Sequence, residues 1–292
     1  MQTRKIKYII AKLLFFIPDS LMLRIQYRIL LNRSLNLKNS KRFTEKIQYY
    51  KAYYRDPDML CCVDKYLVRE FVKERLGTAK YLNTLYQVCN SADQIDFDVL
   101  PNKFVIKTTD GGNGDNVLIC TDKPNLDRRK VAELVNSWRN KQYYLISREW
   151  AYQGAKQSMI IVEQYLESDE NKDGSIDDYK FLCFDGKFHY LWLDKDRYSN
   201  HKRGFWNKDL HFLRNVKSDH PTFETKVVLP ANIGEMILIA EKLSSGFPFA
   251  RIDLYNIKGK IYFGEITFYP WSGYVQYTPD SFDYELGACF NI

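Results

Sequence analysis

Near the middle of the chain, Phe104-Val-Ile106 runs straight into Lys107-Thr-Thr-Asp-Gly-Gly-Asn-Gly114. Consecutive glycines let backbone N–H groups approach phosphate oxygens, and a lysine at a strand end supplies countercharge. Lys107, Gly111, Gly112 and Gly114 are therefore candidates for gripping a polyphosphate. No Gly-Lys-Ser/Thr follows, so this is not a Walker A loop, and Rossmann spacing is absent. A Gly-rich hairpin with a surface lysine would read the same way.

The C-terminal region offers a second group. Asp253 and Glu265 lie twelve positions apart, on two apolar runs separated by Asn256–Gly259. A tight turn there folds the runs into a hairpin and brings both carboxylates to one point. Two hard oxygen ligands facing a triphosphate are how Mg²⁺ is commonly held, with phosphate and water completing its shell. Arg251 shares a strand face with Asp253, where it could stabilise charge on a transferring phosphoryl group. The alternative is a surface salt bridge from Arg251 to either acid.

Between these groups lies Ile160-Ile-Val-Glu-Gln-Tyr-Leu166, a strand ending in an acid, whose backbone could read an adenine edge. Asp177-Asp-Tyr-Lys180 then opens another strand, where an acid could take ribose hydroxyls and Lys180 a phosphate.

The elements that must position these residues follow from periodicity. Strands are expected at Phe104–Ile106, Met159–Val162, Tyr179–Phe184, Phe188–Leu193, Phe249–Tyr255 and Lys260–Ile266, with Asp185-Gly186 turning one hairpin. Helices are expected over Asp64–Leu76, stopped by Gly77, and over Leu126–Trp138 and Ala231–Leu243, with Thr44-Glu45-Lys46 opening another. This mixture implies an α+β protein.

Charge singles out the N-terminus. Residues 1–51 hold twelve Lys/Arg against Asp19 and Glu45, a charge of +10 in a chain whose total is +7. A basic arm on a near-neutral body argues against general nucleic-acid binding and for a local anionic partner. Ile6, Ile9, Ile10, Leu13, Leu14 and Ile17 follow helical spacing, and a second helix is expected over roughly 21–32, beyond Pro18-Asp19-Ser20. The pair either docks on an anionic membrane or packs on the body. Tyr8–Ile17 is far short of the roughly 20 residues needed to span a bilayer, and no small-residue cleavage site follows it. The six cysteines form no CxxC pair, so zinc and a disulfide framework are poor readings. A cytoplasmic chain is expected, with peripheral contact at the inner face of the membrane as the membrane-docked option.

The order of these parts resembles the ATP-grasp superfamily from about Asp64 to the C-terminus. Asp64-Lys65-Tyr-Leu-Val-Arg69 stands where D-alanine–D-alanine ligases carry Asp-Lys-x-x-x-Lys, with Arg69 in the place of an ATP-binding lysine. Lys107 and its loop resemble the second lysine and the phosphate lid. Glu163-Gln164-Tyr165-Leu166 resembles the adenine hinge, and Asp178 the ribose-binding acid. Arg251-x-Asp253 and Glu265-x-Thr267 resemble the metal signatures, with Thr267 replacing an Asn. Arg69 keeps its proton but can bind phosphate bidentately. More narrowly, Phe43-Thr-Glu-Lys-Ile-Gln48, Arg69-Glu-Phe-Val72, Asp178-Tyr-Lys-Phe181 and Phe263-Gly-Glu-Ile-Thr-Phe-Tyr-Pro270 are similar to the TupA-like branch, found in teichuronopeptide and capsular-polysaccharide loci, where Thr267 is expected.

The resemblance implies two α+β lobes clasping ATP, with a basic helical segment over residues 1–60, a first lobe over 61–165 and a second over 166–292. It implies ATP and Mg²⁺ as cofactors, Asp253, Glu265 and Thr267 as metal ligands, and Lys107, Lys180 and Arg251 stabilising the transition state. The implied reaction joins a carboxylate, such as a uronic acid of a surface polysaccharide or its nucleotide- or lipid-linked precursor, to an amine or amino acid through an acyl phosphate. The competing reading is a metal-dependent glycosyltransferase, for which Asp194-Lys-Asp196 has the Asp-x-Asp form.

Overall fold

The computed structural model describes residues 2–111, 116–138, 144–153, 158–168, 171 and 173–292. Two antiparallel sheets organise the chain. Strands β1 (Leu85–Cys89), β2 (Phe104–Thr108), β3 (Val117–Cys120) and β4 (Ile160–Gln164) form the smaller, in the order β1-β4-β2-β3. Strands β5 (Asp178–Phe184), β6 (Lys187–Lys195), β7 (Lys202–Asn207), β8 (Phe249–Ile257) and β9 (Lys260–Thr267) form the larger, in the order β7-β6-β5-β8-β9.

Helices α1 (Gln2–Leu13) and α2 (Asp19–Leu31) come first, followed by α3 (Phe43–Tyr53), α4 (Pro57–Cys62) and α5 (Val68–Leu76). Helix α6 (Arg128–Trp138) and the short α7 (Tyr144–Ser147) and α8 (Trp150–Gln153) lie between β3 and β4, α9 (Ile233–Ser244) precedes β8, and α10 (Ser281–Cys289) ends the chain.

The two long hairpins turn where the sequence indicates. Asp185-Gly186 and Lys258-Gly259 both have positive φ, 47° and 72° in the first pair and 51° and 84° in the second. Two successive left-handed residues match the right-handed twist of paired strands, and glycine at the second position removes the steric cost.

Each sheet has its own core. In the smaller, Phe104, Ile106, Ile160 and Val162 meet Val131, Val135 and Trp138 of α6, whose i, i+4, i+7 spacing makes one apolar stripe. In the larger, Phe181, Phe249, Ile252 and Leu254 pack with α9 and with Phe43, Ile47 and Tyr50 of α3.

Helices α3 and α5 flank the 60/61 boundary, and α5 falls within the expected first lobe, yet both bury their apolar faces in the core of the larger sheet. Their stripes are matched to that sheet, so the chain starts on the larger layer, crosses to the smaller one for β1–β4 and returns.

Candidate functional site

Strand periodicity sorts side chains onto the two faces of each sheet. On β2 and β4, Phe104, Ile106, Ile160 and Val162 enter the core, which leaves Lys107 and Glu163 on the opposite face. Lys107 Nζ is ion-paired with Glu163 Oε1 there. Arg69 of α5 is held by Asn83, donating to Oδ1 at 2.8 Å and to the carbonyl at 2.6 Å. Burial lowers the Arg69 pKa, and nearby Glu163 opposes the shift.

Lys65, which the sequence reading quoted but gave no role, also belongs here. Asp64 Oδ1 accepts from the N–H groups of Tyr66 and Leu67 at 2.8 and 2.9 Å and so turns the chain into α5. That turn directs Lys65 Nζ onto the Gly111 carbonyl. Burial lowers the Lys65 pKa, partly offset by Glu265, with Lys107 adding to the depression. Lys65 thus feels charges from both sheets. Gly112 and Gly114 lie outside the described residues.

On the larger sheet, register does what spacing alone cannot. Trp192 of β6 pairs with Lys180 of β5, Lys180 with Asp253 of β8, and Asp253 with Glu265 of β9. Directly opposed residues share a face, so these four stand in one cross-strand row. Gly264 sits where the β8–β9 register shifts, and a Cβ there would lie 3.0 Å from the Asp253 carbonyl oxygen.

Charges along this row are closely coupled. Arg251 donates to both Asp253 oxygens, Nε to Oδ1 and Nη2 to Oδ2, each at 2.7 Å. The same Nη2 donates to Glu265 Oε1 at 2.7 Å and Thr267 Oγ1 at 3.0 Å. Lys180 donates to Asp253 Oδ2 at 2.5 Å and also to Asp178, which accepts from Arg197 at 2.9 Å.

Burial pushes the Asp253 pKa up, against the pull of Arg251 and Lys180. At Glu265 desolvation also opposes ionisation, but Arg251, Lys180 and Lys65 outweigh it and hold the carboxyl at about 2.

Does this donor set fit a divalent cation? Oxygens of Asp253, Glu265 and Thr267 converge on one point, which the Arg251 guanidinium occupies. Two carboxylates and a hydroxyl suit Mg²⁺ whose other ligands are phosphate and water. Among the described residues no group of three or more His, Cys, Asp or Glu could hold a metal by itself, so the ion would depend on its bound anion. The Asp178 Oδ1 atom is buried with no hydrogen-bond partner among the described residues, which leaves an acceptor for a ligand.

Gln164, Tyr165 and Leu166 lie apart from this row. Gln164 pairs with Thr84 through its backbone N–H at 2.8 Å. Tyr165 and Leu166 line a cavity of about 90 Å³ with Ser175, Ile176, Arg197 and Tyr255. Arg197 links that cavity to Asp178.

Sequence reasoning missed the aromatic floor. Trp192 stacks on Trp271 at 3.9 Å with an interplanar angle of 2°, and the charged groups of Arg203, Arg251 and Lys180 lie 4.4, 4.9 and 5.7 Å from its ring centre. Alternation along β6 could have placed Trp192 on this face, but nothing local announces Trp271, seventy-nine positions away.

The Asp-x-Asp pair does not form a metal site. Asp194 shares the face of Trp192 but is buried and held by Arg203, Nε to Oδ1 at 2.6 Å and Nη2 to Oδ2 at 3.1 Å, with His201 Nε2 at 3.0 Å. Asp196 lies beyond the strand end with φ 53°.

With this geometry established, comparisons with known proteins become informative. The family model TupA-like ATPgrasp matches residues 45–291. No curated protein matches the chain. Among solved structures the chain is similar to D-alanine–D-alanine ligase from Helicobacter pylori, at 14% identity over 85% of this chain and 68% of that one, with a TM-score of 0.47. It is similar to the Bacillus anthracis ligase complexed with ATP, at 16% identity over 79% and 63% with a TM-score of 0.44. An L-amino acid ligase from Bacillus licheniformis gives 16% identity over 79% and 49%, also at 0.44. The chain thus spans less than two thirds of the length of the Bacillus relatives. The family match runs through both sheets and every residue of the cross-strand row, and on that ground the chain belongs to the TupA-like ATP-grasp family.

Proposed function

We propose that the protein is an ATP- and Mg²⁺-dependent ligase that joins a carboxylate to an amine through an acyl phosphate. The observation that carries this reading is the convergence of Asp253, Glu265 and Thr267 on one cation position, with Lys180 beside it. Bound Mg²⁺ would screen the phosphate oxygens so that an anionic carboxylate can approach them.

The chain's own residues divide the remaining work. Lys107, Lys65 and Arg69 present positive charge on the smaller-sheet side to orient a polyphosphate, with Gly111 beside Lys65. Arg251 and Lys180 stand on the larger sheet, where they stabilise charge developing on the transferring group. Both are paired with Asp253, so they are preorganised rather than recruited. Tyr165 and Leu166 bound the cavity that would receive the base, and Asp178 offers an acceptor to ribose hydroxyls.

The substrates in this reading are a uronic acid of a surface polysaccharide or its nucleotide- or lipid-linked precursor, and an amino acid or other amine. A membrane-borne precursor would give the basic N-terminal segment a partner at the inner leaflet.

The test is incubation with ATP, Mg²⁺, a uronic-acid acceptor and an amine. ADP and phosphate should appear only when both organic substrates are present. Glu265→Gln should lower kcat by roughly 10²–10³ while nucleotide binding changes much less. Release of a nucleoside diphosphate from a nucleotide sugar, with ATP ignored, would sink the ligase reading.

A further inference from the structure

We propose that the outward face of the α1–α2 pair docks on an anionic lipid bilayer. Helix α2 is apolar on two sides. Met22, Leu23, Tyr27 and Leu31 are buried, the last three packing with Leu35 and Leu37. The stripe Leu21, Ile25, Ile29, at i, i+4 and i+8, is exposed, as are Ile9, Leu13 and Phe16 before it. Ile29 is 73% exposed and Phe16 is 82% exposed. Of twenty-four exposed large apolar side chains among the described residues, ten fall between Ile9 and Leu30. Scattered exposed apolar residues are ordinary, but a concentration of this kind marks a surface with a partner.

The pair is held in a defined attitude. Arg148, itself buried, donates to the Leu14 carbonyl at 2.8 Å, the Ile17 carbonyl at 3.0 Å and Asp19 at 2.9 Å. It closes the corner between the helices and neutralises one of the two acids in residues 1–51. The other, Glu45, is occupied by the backbone N–H groups of Lys41 and Arg42 at 2.9 and 3.1 Å. What remains outward is basic: Lys12, Arg24, Arg28, Lys38 and Lys41 are exposed.

This charge decides between occupants. A second copy would bring like charges together, whereas an anionic leaflet supplies both the opposite charge and an apolar layer beneath it. No helix among the described residues is long and apolar enough to cross a membrane, so the pair would lie in the interface plane. The family match begins at residue 45, so the face stands outside the matched residues. The inference does not rest on the ligase reading.

The full-length protein is sedimented with vesicles of phosphatidylcholine alone and of phosphatidylcholine with phosphatidylglycerol. It should bind the anionic vesicles only, and more weakly as salt rises. Phe16→Glu/Ile29→Glu should weaken binding by about tenfold or more, through lost apolar burial. Lys12→Gln/Arg28→Gln should also weaken it by about tenfold, chiefly at low salt. Both variants should keep the wild-type melting temperature and its rise with Mg·ATP, which separates this test from that of the ligase reading. Equal binding to neutral vesicles, or no binding to anionic ones, would overturn the proposal. So would a dimer in solution that Phe16→Glu/Ile29→Glu dissociates without changing vesicle binding.

Discussion

The two sheets bring charge to the cleft in different ways. On the larger, Asp253 is almost wholly buried and held by Arg251 and Lys180, and Lys180 also binds Asp178, itself bound to Arg197. On the smaller, Lys107 and Glu163 form a single, mostly buried pair. Buried ions are tolerable only when fully paired, so the larger sheet carries a network that is costly to break. Lys107, 27% exposed, has the single partner Glu163 and an open side, which leaves it able to reach a ligand. In the proposed reaction the larger sheet would supply the fixed charges and the smaller an exchangeable grip.

This contrast predicts a graded series. Arg251→Ala should have the largest effect, since it leaves Asp253 buried without its bidentate partner. A loss of about 3–5 kcal/mol in denaturant unfolding is expected, together with loss of turnover. A loss near zero would show that the network is not buried in solution.

A pH experiment probes the core beneath the larger sheet. Lys51 of α3 is fully buried and donates to the Ser272 carbonyl at 2.6 Å and Oγ at 2.5 Å, beside Trp271, which stacks on Trp192. Burial pushes its pKa down from 10.5 to about 8, against the pull of Glu149. Between these values the unfolded chain holds a proton that the folded chain has released, so stability should rise with pH from about 8 to about 10.5. The rise relative to Lys51→Met should total about 3 kcal/mol. Parallel curves for the two proteins would mean that Lys51 stays charged when folded.

Asp194→Asn should rank next, because both Asp194 oxygens serve Arg203. A loss of about 1–3 kcal/mol is expected, with most of the turnover retained. Abolished turnover at unchanged stability would return this residue to the chemistry.

Lys107→Ala should be the mildest to stability, about 1–2 kcal/mol, because it leaves only the nearly buried Glu163 without its lysine. It should nonetheless reduce the rise in melting temperature caused by Mg·ATP, because that rise measures binding to the folded cleft alone. An undiminished rise would remove the glycine loop from the site.

Local chemistry alone determined much of this molecule. Asp185-Gly186 and Asn256–Gly259 specify their hairpins because few residues other than glycine tolerate positive φ at the second turn position. The tight turn alone would set Asp253 across from Gly264; the register shift at Gly264 is what brings Glu265 opposite Asp253. Gly77, with φ 69°, ends α5 for the same steric reason. Period-2 alternation put Lys107 on the face opposite Ile106, and the charge of residues 1–51 was legible by counting.

Tertiary structure decided what requires contact between distant segments. Pairing of β5 with β8 set Lys180 against Asp253, seventy-three positions away, and β6 added Trp192 to the row. No local periodicity encodes strand order, because each strand satisfies its own alternation whichever neighbour it takes. The same limit hid Lys65, whose place depends on a loop forty-six residues on, and Trp271, which needs the chain to return to the sheet. It also hid the allegiance of α3 and α5. An amphipathic stripe says that a face will be buried, and only the packed core says against which sheet.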